Sequence, residues 1–212
     1  MKRFPNPMVP VSVRWRRQRR IRLTAASLIA LAIAAALAIA DRGGFFGRAP
    51  EGDFAQYGGK SFRVTKVVDG DTIDIEAPDP PRSQTHTRIR FWGVDTPEIV
   101  HGAKPGTHFG PEAAAFTRRL IQGQYVRLEL EPAKKPRDKY DRLLAWIYLS
   151  DGRLLNRVLV EEGYAYADPR FDHHLKAEFA RLQRQARSAG RGLWKSVKPE
   201  DLPYYLRQNS SQ

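Results

Sequence analysis

A chain of 212 residues is long enough for one ordinary domain with accessories and too short for two large ones. It carries 36 Lys and Arg against 23 Asp and Glu, a formal charge of +13, and no cysteine. The missing cysteine excludes thiolate metal sites, thiol nucleophiles and disulfide staples, while the positive balance is compatible with a polyanionic partner without establishing one.

The charge is unevenly placed. Lys2, Arg3, Arg14, Arg16, Arg17, Arg19, Arg20 and Arg22 precede the first acid, Asp41, so 13 less these eight leaves only +5 for the remainder. Residues 1–22 read as a basic cytoplasmic segment. Leu23–Ala40 follows as a run of Ala, Leu and Ile broken only by Thr24 and Ser27. A basic flank before an apolar run is the pattern of a signal peptide core or a transmembrane anchor. Ala38-Ile39-Ala40 fits a small-x-small cleavage site, which favours removal. The run exceeds the usual ~7–15-residue signal core and approaches the ~20 residues that span a bilayer, which favours retention. Either way the rest of the chain is exported: periplasmic or extracellular, or membrane-anchored by a single pass with the folded part outside the cytoplasm.

Residues 41–59 are rich in glycine and read as a flexible linker, with the folded domain expected over 60–198 and a peripheral tail over 199–212. Ser61–Val68 is expected as a strand, Asp69-Gly70 as a hairpin turn, and Thr72–Glu76 as the return strand. After a proline-rich loop, Arg88–Val94 alternates as a third strand, with Ile89 and Phe91 on one face and Arg88, Arg90 and Trp92 on the other, which frees Arg90 to project into a surface site. Pro97 ends it, since proline offers no N–H to a sheet. Gly110-Pro111 opens a helix that Gly123 stops. Strands Tyr125–Leu130 and Leu143–Leu149 follow. Leu155, Val158 and Leu159 mark a short helix ended by Gly163, and Leu175, Phe179, Leu182 and Ala186 a longer one, with Asp172 as its cap and Gly190 as its stop. Five short strands, with a helix after the third and two at the end, predict an α+β, mainly β fold. Its form is a five-stranded Greek-key barrel of the OB type with three helices, preceded by one N-terminal hydrophobic helix.

Three polar clusters could carry chemistry. Asp69-Gly70-Asp71-Thr72 lies at the first hairpin tip, where Asp69 suits turn formation and Asp71 is less needed for it. Arg90 through Asp95-Thr96-Pro97-Glu98 delivers two carboxylates at a strand end beside a strand-mounted cation. Aspartates with a backbone carbonyl are hard oxygen ligands suited to Ca²⁺, Mg²⁺ or Mn²⁺ rather than Zn²⁺. Asp138-Lys139-Tyr140-Asp141-Arg142 leads into an apolar strand, and an arginine there can cap the strand or clamp a phosphate bidentately.

Together, in this order and spacing, these clusters resemble the staphylococcal nuclease (thermonuclease) family, from about Val67 to Trp194. Gly110-Pro111-Glu112-Ala113, Leu143-Leu144-Ala145 and Gly192-Leu193-Trp194 belong to the same resemblance. It implies a Ca²⁺-dependent phosphodiesterase acting on DNA and RNA with little sequence preference, leaving 3′-phosphate ends, and working as a monomer. Asp71 and Asp95 would be metal ligands, with the backbone carbonyl of Thr96. Glu98 would position or deprotonate the attacking water, and Arg90 and Arg142 would hold the phosphate. Lys139, Tyr140 and, more loosely, Tyr164 or Tyr166, of which Tyr166 is preferred, would contact substrate. Asp141 stands where the family often has glycine, and aspartate tolerates the left-handed turn better than most residues. His173 and His174 read as solvent-facing positions rather than bases. The rival readings are a non-catalytic OB module binding single-stranded nucleic acid, and a surface-tethered interaction domain meeting anionic lipid.

Overall fold

The computed structural model describes residues 28–33, 35, 51–100, 106–132 and 134–207. Residues 28–33 and 35, from the apolar run, are helical and exposed. Among the described residues no helix is long and apolar enough to cross a membrane. The rest of the expected signal or anchor, its basic flank and the first part of the expected linker lie outside the described residues.

The barrel is built from β1 (Ser61–Val67), β2 (Thr72–Ile75), β3 (Thr87–Phe91), β5 (Tyr125–Glu129) and β6 (Leu143–Tyr148), closed in the order β1-β2-β3-β6-β5. Between β3 and β5 in sequence lies the short β4 (Val94–Asp95), which pairs outside the barrel with β7 (Tyr166–Ala167). Pairing is antiparallel except for β3 with β6, which run parallel with Ile89 opposite Leu143 and Arg90 opposite Leu144. Closure leaves no exposed sheet edge in the barrel. Val64, Ile73, Ile75, Ile89, Phe91, Leu128, Leu143 and Ile147 fill it with no exposed surface, the alternation that period-2 strands demand.

Three helices stand where the apolar spacing puts them: α2 (Gly110–Ile121), α3 (Leu155–Glu161) and α4 (Lys176–Ser188). Two shorter ones, α1 (Asp53–Tyr57) and α5 (Tyr204–Arg207), flank the domain in sequence.

Four expectations are corrected. The third strand does not run to Val94: Trp92-Gly93 turns the chain, with Gly93 at φ 75°, and β4 leaves the barrel to meet β7. Asp172 does not cap α4, which begins after Leu175; the Asp172 carboxylate instead pairs with Lys134 at 2.9 Å. The glycine-rich stretch is not linker throughout. Tyr57 of α1 is fully buried, its hydroxyl 2.9 Å from both the Pro78 carbonyl and Thr87 Oγ1, and Asp53 pairs with Arg137 at 2.7 Å. Burying a whole tyrosine outweighs the entropy that the glycines bring. Nor is the tail peripheral up to its last described residues. Leu202 is buried with Tyr166 and Leu193 in a second apolar cluster, and Tyr205 is only 8% exposed.

Candidate active site

The first hairpin tip is a turn held by Asp69, whose Oδ1 accepts from the Asp71 N–H at 3.0 Å. That bond assigns Asp69 to turn formation and leaves Asp71 to face the site. Gly70 has no room for a side chain: a Cβ would lie 2.7 Å from Thr96 Oγ1. Its carbonyl accepts from Thr117 Oγ1 of α2 at 2.7 Å. Glycine therefore lets the hairpin tip close onto the loop that follows β4.

Asp71 is 4% exposed and fully partnered. Its Oδ1 accepts from Thr72 Oγ1 at 3.0 Å, and its Oδ2 from the Thr96 N–H at 2.7 Å and Arg90 Nη1 at 2.5 Å. The other end of the same guanidinium, Arg90 Nη2, donates to Asp95 Oδ1 at 2.7 Å. Arg90 thus bridges the two carboxylates. It was expected to project into a surface site, yet it is 6% exposed; two carboxylates make burial of the cation tolerable.

Arg90 alone does not neutralise two carboxylates, and the other guanidinium near Asp95, Arg170 at 3.4 Å, is already paired with Asp168 at 2.6 Å. Burial, with Asp69 adding to it and Arg90 opposing, pushes the Asp71 carboxyl up to about 7. Asp95 is likewise raised, by burial first and by Asp71 in addition, against Arg90. Burial alone would lower the Arg90 pKa, but Asp71 and Asp95 outweigh it and hold the guanidinium above its ordinary value. Crowded carboxylates short of positive charge, with the Thr96 backbone beside them, fit a hard divalent cation by donor type. Among the described residues no group of three or more His, Cys, Asp or Glu side chains is arranged to hold a metal. The set here has two carboxylates, Asp71 and Asp95, joined by Arg90.

Glu98 is exposed and lines a groove of about 350 Å³ together with Asp95 and Thr96. Its backbone is fixed from both sides: its N–H donates to Thr107 Oγ1 at 2.7 Å, and its carbonyl accepts from the Thr107 N–H at 2.8 Å. A Cβ on Gly110 would lie 2.1 Å from that carbonyl, so the start of α2 presses against the Glu98 loop.

Arg142 stands apart from the bridged carboxylates in its contacts. Its Nε and Nη2 pair with Asp138 Oδ2 at 2.8 and 2.7 Å. It precedes β6 by one residue, and Leu144 of that strand is the register partner of Arg90. Asp141 adopts φ 59°, the left-handed turn that glycine would otherwise supply. Tyr140 is 63% exposed, with Lys139 Nζ and Arg142 Cζ 5.0 and 5.4 Å from its ring centre. That ring is open to a stacking partner. Tyr166 is not: it is 4% exposed and packs edge-on against Trp194 at 5.6 Å, so it reaches the groove only as part of its floor. His173 is half-buried, and burial, with His174 beside it, lowers its pKa.

The sequence reading missed the far side of the site. Asp95 Oδ2 accepts from the Tyr205 hydroxyl at 2.7 Å and lies 3.4 Å from Arg170 Nη2. Arg170 is itself held by Asp168, at 2.6 Å. Glu200, Asp201 and Arg207 form the opposite wall of the groove. The available signal was Leu202 and the Tyr204-Tyr205-Leu206 run, apolar residues in a tail otherwise made of proline, charged and polar ones.

A closed five-stranded barrel carrying a buried carboxylate–guanidinium bridge beside an open groove defines an OB-type barrel with a charged site. Its family follows from comparison with known proteins. The family model described as Staphylococcal nuclease homologue matches residues 88–196. Thermonuclease of Staphylococcus hyicus is 34% identical over 138 residues, covering 64% of this chain and 76% of its own length. Thermonuclease of Staphylococcus intermedius is 40% identical over 109 residues, 51% of this chain and 60% of the relative. An uncharacterized endonuclease of Escherichia coli O157:H7 is 29% identical over 137 residues, 65% of this chain and 78% of its own. The chain belongs to the staphylococcal nuclease family.

Proposed function

We propose that this protein is a Ca²⁺-dependent endonuclease that hydrolyses phosphodiester bonds of DNA and RNA with little sequence preference and leaves 3′-phosphate ends. The observation that carries the reading is the buried Asp71–Arg90–Asp95 bridge beside Thr96, with Glu98 on the adjoining groove. Asp71, Asp95 and the Thr96 carbonyl would hold the ion, which would supply positive charge against the phosphate. Arg90 and Arg142, the latter by exchanging Asp138 for substrate, would complement the charge that grows as water attacks a diester. Glu98 orients or deprotonates that water. Tyr140 offers a sequence-tolerant stacking face, with Lys139 near the phosphate chain.

The relatives named nucleases support this activity class. The basic segment before an apolar run supports an exported or membrane-tethered protein with its nuclease domain outside the cytoplasm.

The test is digestion of single-stranded DNA, duplex DNA and RNA by the full chain with Ca²⁺ or chelator. Cleavage of all three in Ca²⁺ alone is expected, with ends that a polymerase extends only after phosphatase treatment. Binding of single strands without cleavage in Ca²⁺ would convert the reading to a non-catalytic OB module.

A further inference from the structure

We propose that Tyr205 is a positioning residue for Asp95, so that the C-terminal segment completes the metal site. The inference rests on the reading of Asp95 as a metal ligand.

A carboxylate rotates about its χ angles unless both oxygens are engaged, and a freely rotating ligand binds an ion with an entropic penalty. Asp95 has its two oxygens held from different elements. Arg90 of β3 donates to Oδ1 at 2.7 Å. Tyr205 of α5 donates to Oδ2 at 2.7 Å, across 110 residues of sequence. Arg170 lies over the Tyr205 ring at 4.3 Å and reaches Oδ2 at 3.4 Å.

The Tyr205 donor is itself well fixed. The residue is 8% exposed, and α5 is preceded by Leu202, buried against Tyr166 and Leu193. Tyr166 in turn is the β-pairing partner of Asp95. The backbone and the carboxylate of Asp95 are therefore anchored through the same apolar cluster. The phenol is suited to this duty because it donates one hydrogen bond without adding charge. A lysine at the same place would neutralise the carboxylate and weaken its pull on a cation. The arrangement resembles the general case in which groups behind the ligands set their orientation, and loss of one costs about 10–100-fold in metal affinity.

The test is titration of the full chain and its Tyr205→Phe variant with Ca²⁺ alone, by calorimetry, with cleavage followed against Ca²⁺ concentration. Phenylalanine keeps the ring and its packing and removes only the hydroxyl. Ca²⁺ affinity is expected to fall about tenfold or more, and the deficit in cleavage to shrink as Ca²⁺ is raised. The melting temperature of the metal-free chain is expected to drop only by the few degrees that one hydrogen bond commands. A purely structural tyrosine would move the melting temperature and leave the affinity alone. Unchanged or tighter Ca²⁺ binding in the variant, beside normal binding by the wild type, overturns the inference and leaves the nuclease reading standing. A wild type that takes up no Ca²⁺ overturns both.

Discussion

Asp71 is a buried carboxyl whose pKa sits at about 7 in place of 3.8, and that displacement has a sign that can be measured. Between about pH 4 and 7 the folded, metal-free chain holds a proton there that the unfolded chain has lost. Stability from this group is therefore full below the unfolded pKa and is lost as pH rises through the folded one. Urea unfolding without metal is expected to show Asp71→Asn gaining on the wild type across that window by roughly 1–3 kcal/mol, after other groups cancel in the difference. The same proton must leave when a cation binds, so Ca²⁺ affinity should climb with pH up to about 7 and then level, with proton release visible in calorimetry. Arg142 makes a second prediction at this scale. Its contacts are to the neighbouring Asp138 and the exposed Tyr140, not to the core. Arg142→Ala should fold normally, by circular dichroism and melting, and lose about 10²–10³-fold in cleavage rate. Unimpaired turnover would remove Arg142 from the machinery.

At the scale of elements, the close approaches between segments govern the site. Gly110 begins α2 directly against the Glu98 carbonyl, an approach that no side chain permits. Gly110→Ala must push either the helix or the Glu98 loop. The expected cost is about 1–3 kcal/mol of stability, with a fall in cleavage of up to about 10²-fold from misplacing the groove wall. Loss of stability at unchanged activity per folded molecule would mean that the helix, and not the loop, gives way. The barrel strands and the three main helices were legible in the sequence because each is written in local alternation, glycine stops and prolines. Asp71, Asp95, Thr96 and Glu98 stand out in the sequence as polar residues at strand breaks, and the resemblance singles them out; the structure brings Asp71, Asp95 and the Thr96 N–H into contact through Arg90 and a backbone hydrogen bond. The break at Gly93 was passed over because apolar Val94 follows it and Pro97 is the stronger stop, while nothing local says that the chain leaves one sheet for another. Arg90 was read with the correct residues around it and the wrong exposure. Alternation says which face a side chain takes but not what covers that face.

For the domain taken as one compact unit, residues 51–212, the two errors of extent share one cause. Tyr57 bonds to Thr87 across 30 residues and Tyr205 to Asp95 across 110, so neither contact leaves a trace in its own neighbourhood. Each is one aromatic in a stretch whose glycines or polar residues otherwise suggest solvent. The folded domain is accordingly expected to need Glu51 at its start, not Lys60. A fragment from Lys60 lacks a fully buried tyrosine, a loss comparable to the ~3–5 kcal/mol of truncating a large aromatic core residue. It also leaves Arg137 without Asp53, so Asp79 becomes the only carboxylate paired with that guanidinium among the described residues. Against the ~5–15 kcal/mol that stabilises a typical domain, the combined loss is severe. Urea titration of Glu51–Gln212 and Lys60–Gln212 should therefore separate the two by several kcal/mol, with the shorter fragment partly unfolded at 37 °C. Coincident curves would return residues 51–59 to the linker and reduce α1 to an accessory.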